Sequence, residues 1–208
     1  MLNISYKGKF IDEKQLIGNK KLLKEAVQYE EGEKFEDVFN QGFSLILIII
    51  IPIIIISLIK LTKTEGNIYL NFKTVFSIIS AFMIRYLLKF VHEFIHAIVC
   101  PINSKKTIWR YKKGIYFTYC DAMVSKTRYI TISLAPMIVL GIIPFIIWIL
   151  IAEKIDFTIS LIYVLMTWNM ISWAMGDLAN VYNTLKQVPK GGKVFNFGMH
   201  SYWIKEKN

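Results

Sequence analysis

The chain of 208 residues has little cysteine, little histidine and little proline: two, three and five residues. Two cysteines, Cys100 and Cys120, are too few for a disulfide-stapled scaffold. They read as free thiols, with a cysteine ligand to a metal the less favoured alternative. No short apolar core stands near Met1, because the first forty or so residues are polar and charged. A cleavable signal peptide is therefore not expected, and the first span should act as an uncleaved insertion signal. No internal repeat stands out beyond one isoleucine-rich run, which speaks against the inverted repeats of a transporter.

What the chain has in abundance is apolar residues, 54% of the total. They clump into four stretches near or above the ~20 residues needed to cross a bilayer, at about 43–61, 73–99, 129–151 and 157–179. The clearest reads "FSLILIIIIPIIIISLIKL", and its Pro52 is tolerable in a membrane span. The expected fold is an all-α integral membrane protein of about four transmembrane helices, with one small cytoplasmic β-hairpin between the second and third. Three parts are expected: a leader over 1–42, a four-span membrane core over 43–185, and a tail over 186–208.

The net charge of +10 does not call for nucleic acid, because the cations are segregated. Of the 25 Lys and Arg, seven precede the first span, seven lie between the second and third, and five follow the fourth. The positive-inside rule then puts both termini and the 101–128 loop in the cytoplasm of a multi-pass protein. The excess reads as topology plus affinity for anionic lipid. The stretch "NKKLLKEAVQYEEGEKFEDVFNQ" reads either as an amphipathic helix on the membrane surface or as a solvated helix or tail. The loop "TIWRYKKGIYFTYCDAMVSK", rich in aromatic and β-branched residues and broken at Gly114, reads as a hairpin. Its edge could bind an extended peptide by strand addition, or the hairpin could simply cover the end of the bundle. Pro136 and Pro144 are expected to kink the third span. The tail, with Gly191-Gly192 and alternating aromatics, suggests a small strand.

The second span ends in "VHEFIHAIVC". Ionisable residues in such a segment are functional by default. Positions four apart share a helix face, so His92 and His96 can grip one metal ion. Glu93, turned about 100° away, lies beside the ion, where it can take a proton from attacking water and pass it to a leaving amine. The competing reading is a hydrogen-bonded polar seam between helices. A catalytic zinc site needs a third protein ligand. Asp177 is about twenty residues into its span, as His92 is into its own, so parallel spans bring both to one depth. Its alternatives are a pairing of Asp177 with Arg85 or Lys89, and His200 folding back from the tail as the third ligand. Asn180, three residues after Asp177, could orient it or donate to an oxyanion, or serve only packing.

An apolar span ending in "HEFIH", an aromatic loop, a span with "LAP" and a span ending in "GDLAN" together resemble the bacterial putative zincin peptidase family, itself similar to site-2 intramembrane metalloproteases. The resemblance covers roughly residues 75–200. It implies a metal-dependent endopeptidase of the bacterial cell membrane, acting on membrane or membrane-proximal substrates. It implies one Zn²⁺ held by His92, His96 and Asp177, with Glu93 as the catalytic glutamate. One departure is that Gly176 precedes Asp177, where site-2 proteases place Asn-Pro before an Asp-Gly pair. Two other functions remain open at this stage: a metal-binding but non-hydrolytic scaffold or regulator, and a small transporter component. Neither substrate nor oligomeric state is legible in the sequence.

Overall fold

The computed structural model describes residues 3–31, 35–64, 71–111 and 114–205. In chain order they form β1 (Ile4–Lys9), the short α1 (Lys14–Ile17), β2 (Val27–Gln28), α2 (Phe35–Leu61), α3 (Phe72–Val99), β3 (Lys105–Arg110), β4 (Tyr116–Asp121) and β5 (Val124–Ser125). Then come α4 (Lys126–Met137), a π-helical turn (Ile138–Ile142), α5 (Ile143–Ile151), α6 (Phe157–Trp173), α7 (Met175–Gln187), β6 (Lys193–Phe197) and β7 (His200–Ile204).

The apolar runs make a helical layer. Three helical segments, Asn40–Leu61, Phe72–Val99 and Lys126–Lys154, are long and apolar enough to cross a membrane, with mean hydropathies of 3.1, 1.6 and 2.7. A fourth arises if α6 and α7, bent by 43° at Ala174, count as one span. Polar caps set where helices begin. Asn71 accepts from Thr74 N–H at 3.1 Å, and Asp156 from Thr158 N–H at 2.8 Å. Each cap contributes ~1 kcal/mol by satisfying an otherwise orphaned donor. Ile46, Ile50, Trp148, Val164 and Ile171 form the buried core, while Ile48, Ile55, Phe76, Phe82, Leu87 and Ile146 point outward. Two indoles of this layer are satisfied across helices: Trp148 Nε1 donates to Ser160 Oγ at 2.9 Å and Trp168 Nε1 to Ser57 Oγ at 3.0 Å.

The rest of the chain is not the single hairpin expected, and the fold is mixed α/β rather than all-α. Seven strands among the described residues form two sheets, ordered β1-β3-β4 and β2-β7-β6-β5. The expected hairpin is β3–β4, antiparallel with Thr107 opposite Tyr119. The leader supplies what was missed. The alternating segment at Ile4–Lys9 adds to β3 in parallel, with Ile4 beside Lys106. The tail forms the β6–β7 hairpin, closed by Gly198 at φ 63°, a conformation costly for residues with a side chain. The leader stretch over 19–41, read as a helix or a solvated tail, instead makes a turn at 24–25 and then β2, which pairs with β7, and becomes helical only where α2 starts at Phe35. Tertiary strand pairing overrides helix propensity there; residues 32–34 of that stretch lie outside the described residues.

Two close approaches set up the site. A Cβ on Gly42 of α2 would stand 1.9 Å from Met175 O, so only glycine lets α2 pass the first residue of α7 at this distance. A Cβ on Gly141 in the π turn would meet Ile171 Cγ1 at 2.5 Å, which keeps that turn against α6.

Candidate metal centre

His92 and His96 lie one turn apart on α3, both buried, with ring centroids 5.0 Å apart. Asp177 comes from the first turn of α7, just past the bend at Ala174. A carboxylate is favoured there by the unpaired N–H groups of a helix start. Its Oδ2 is 3.1 Å from His92 Nε2 and its Oδ1 is 3.2 Å from His96 Nε2. One donor atom from each of the three residues falls within 4.8 Å of the others. Among the described residues, this is the group of three or more His, Cys, Asp or Glu that could hold a metal ion.

The local chemistry favours a cation between these groups. His96 Nδ1 is 2.8 Å from Ile132 O, and a carbonyl only accepts, so Nδ1 carries the hydrogen. In a neutral ring Nε2 then holds a lone pair, aimed at a carboxylate oxygen 3.2 Å away. Two such acceptors repel unless a cation, a proton or a metal ion, lies between them. Among the described residues His92 Nδ1 is buried without a hydrogen-bond partner, and the ring's hydrogen-bond contact is toward Asp177. Donor separations of 3.1 and 3.2 Å also approach the ~3.3 Å edge of a tetrahedron with ~2.0–2.1 Å bonds. Two imidazoles and a carboxylate suit zinc.

The carbonyl that orients His96 is available because of a proline. In a regular helix Ile132 O would accept the N–H four residues on, but that residue is Pro136 and has none. The "LAP" segment thus does more than bend a helix: it frees an acceptor at the level of the metal ligands. Sequence reading singled out Pro136 as a kink and missed this consequence, though a proline four residues after a site-facing carbonyl is the signal for it.

Glu93 is buried and lines a cavity of about 230 Å³ together with His92, His96 and Asp177. One wall of this cavity is strand β4. Ile115 and the five β4 residues that follow it, Tyr116 to Cys120, all touch it. Successive side chains of a strand point to opposite faces, so a space touched by all six runs along the strand edge. β4 is an outer strand of its sheet, and Thr118 Oγ1 pins it to α3 by donating to Glu93 O at 2.7 Å. The second sheet also lines it, through Phe195 of β6 and Met199 in the β6–β7 turn.

The remaining sequence candidates fall as follows. Asn180 lines the cavity, and its carbonyl accepts from Thr184 Oγ1 at 2.6 Å. His200 starts β7, outside the metal group, with Nδ1 3.6 Å from Glu31 Oε1. Arg85 and Lys89 do not reach Asp177. They lie 4.8 and 4.9 Å from the Trp173 ring, and Arg85 Nη1 is 3.5 Å from Asn169 Oδ1. Cys100 and Cys120 are free thiols on the cavity wall and not members of the metal group. Hydrogen bonding to Cys100 and to Ser104 brings Cys120 down to about 7 against the opposing effect of burial. The same contact with Cys120, together with burial, pushes Cys100 well up. Sequence reading also passed over Glu31, a buried carboxylate on the cavity wall.

No curated protein and no solved structure matches the chain. One family description, Putative zincin peptidase, matches residues 85–192, just over half the length. The match starts at Arg85, one turn of α3 and more before His92, and ends past Asp177, so it contains every residue of the metal group. The chain belongs to the putative zincin peptidase family, a family of metallopeptidases.

Proposed function

We propose that the protein is a zinc-dependent endopeptidase, embedded in a cell membrane, that hydrolyses peptide bonds of membrane or membrane-proximal substrates. The observation that carries this reading is the convergence of His92, His96 and Asp177 on one point of a cavity that Glu93 also lines. A zinc ion held by those three residues would polarise the scissile carbonyl and acidify water. Glu93 takes the proton of the attacking water and returns it to the leaving amine. Ile132 O and Pro136 keep the His96 ring turned toward the site. The free edge of β4 supplies backbone donors and acceptors for a substrate segment bound as an added strand. An extended segment is what a peptidase needs, because a helix keeps its amides out of reach.

Embedding is supported by the outward apolar faces of α2, α3 and α5, which leave large side chains such as Ile48, Phe82 and Ile146 without protein cover. Topology is supported by the sheets. β1 and β2 from the leader pair with β3 from the 101–128 loop and β7 from the tail. All three segments therefore lie on one side of the helical layer. They carry most of the chain's cations, which argues for the cytoplasmic side.

The test uses the full chain, zinc-loaded in detergent micelles, with Glu93→Gln beside it. Wild type should cleave an unstructured peptide, and Glu93→Gln should lose ~10²-fold or more of that rate while keeping one zinc per chain. Stoichiometric zinc with no hydrolysis by wild type would favour a metal-binding scaffold instead, and full activity in Glu93→Gln would remove Glu93 from the chemistry.

A further inference from the structure

The cavity is acidic in a way the proposed chemistry does not use. Among the described residues lining it are three carboxylates, Glu31, Glu93 and Asp177, and no lysine or arginine. In a chain with a net charge of +10, described cavity walls without a lysine or arginine are not the average surface. Asp177 faces the two imidazoles, and Glu93 adjoins them on α3. Glu31 belongs to neither set. It comes from the leader, past β2, and its side chain is 5% exposed.

The fold holds Glu31 at this position by several ties. Ser201 N–H donates to Glu31 Oε1 at 2.9 Å. Tyr29 N–H donates to Ser201 O at 2.9 Å, and Glu30 N–H donates to Gln187 Oε1 at 2.8 Å, so both preceding residues are fastened down. Tyr129, 2.9 Å from Ser201 Oγ through its hydroxyl, extends the network across the cavity wall. Among the described residues the cationic complement of Glu31 is weak. His200 Nδ1 stands 3.6 Å away, beyond hydrogen-bonding distance, on a side chain 27% exposed to solvent. Burial pushes the Glu31 carboxyl up, with the Ser201 N–H and His200 opposing. Among the described residues this charge thus has one amide donor and one more distant imidazole, and a buried charge lacking a full partner is costly. Phe195 and Met199, which line the same cavity, offer apolar surface to the methylene stem of a long side chain whose charged head meets the carboxylate.

We propose that Glu31 is an acidic subsite of the cavity, one that receives a lysine or arginine side chain of the bound substrate close to the bond that is cut. The inference rests on the peptidase reading for the word substrate, but the binding event itself does not require hydrolysis. It assigns a specificity to a residue outside the metal group and outside the matched family region, which starts at residue 85.

The experiment measures binding rather than turnover. Two short peptide hydroxamates, identical except for lysine or norleucine beside the chelating group, are titrated by calorimetry into the zinc-loaded full chain. Wild type should bind the lysine probe about tenfold tighter or better, the increment of a charge-assisted hydrogen bond in a shielded site. In Glu31→Gln the two probes should come within about twofold of each other, with the norleucine affinity unchanged, which certifies an intact cavity. Glu31→Asp, which keeps the charge, should keep part of the preference. Equal affinities in wild type, or a lysine preference that survives in Glu31→Gln, would overturn the proposal. A lysine preference in a protein that cleaves no peptide would sink the hydrolytic reading and leave the subsite standing; cleavage without that preference would do the reverse.

Discussion

His96 and Ile132 are joined across two helices by a hydrogen bond of 2.8 Å, from the imidazole Nδ1 of α3 to a backbone carbonyl of α4. The bond exists because Pro136 cannot supply the helical donor that carbonyl would otherwise accept. Pro136→Ala restores an N–H at that position and offers Ile132 O a competing partner. The His96 ring then loses its fixed tautomer and direction. Zinc affinity, measured by competition with a chelator, should fall ~10–100-fold, the usual effect of losing a hydrogen-bonded support behind a metal-binding histidine. Far-UV circular dichroism should show helix content kept or raised. Unchanged zinc affinity would mean that the Ile132 carbonyl does not orient the ligand.

Gly42 and Met175 make a second prediction, on the link between packing and site. Gly42→Ala gains ~1 kcal/mol of helix propensity in α2. It also places a methyl 1.9 Å from Met175 O, a backbone atom that no rotamer change can move aside. Overpacking of this kind costs ~1–3 kcal/mol, so the clash should win. Met175 opens α7 two residues before Asp177, so relief of the clash moves the ligand. Gly42→Ala should lower the melting temperature and weaken zinc binding with all three ligands intact. A variant as stable as wild type would show that α2 can shift without disturbing α7.

The thiol pair makes a third. With Cys120 near 7, alkylation by iodoacetamide should rise through pH 7, where an unperturbed cysteine is still mostly thiol. Cys100, pushed the other way and buried, should label far more slowly. Peptide mass mapping across a pH series separates the two. Cys100→Ala removes the group most responsible for lowering Cys120, so the midpoint should move up toward the ordinary thiol range. Because Cys120 lines the cavity, its alkylation should also impede peptide binding without removing zinc. Equal labelling of both cysteines would contradict the assignment.

How far the sequence reaches is visible in these residues. His92, His96 and Glu93 are readable from spacing alone, since helical periodicity makes four-residue neighbours share a face. Asp177 is readable from depth, because length along an apolar helix is distance through a layer. The β architecture is not, for a physical reason. The leader's Ile4–Lys9 carries an alternating pattern, but its partner β3 lies about a hundred residues on and runs parallel, a pairing that no local pattern encodes. The leader's charged stretch has helix-forming composition and still becomes an extended strap, because β7 offers an edge to pair with. Glu31 was hidden for the same reason: only that strap brings it to the cavity.

The proposed activity requires that His92, His96 and Asp177 together hold a metal ion. The most direct measurement is metal content by mass spectrometry of the purified full chain, alongside Asp177→Ala and His200→Ala. Wild type and His200→Ala should each carry one zinc per chain, and Asp177→Ala should carry close to none after brief dialysis against a chelator. Full zinc retention by Asp177→Ala, or its loss in His200→Ala alone, would contradict the site described here.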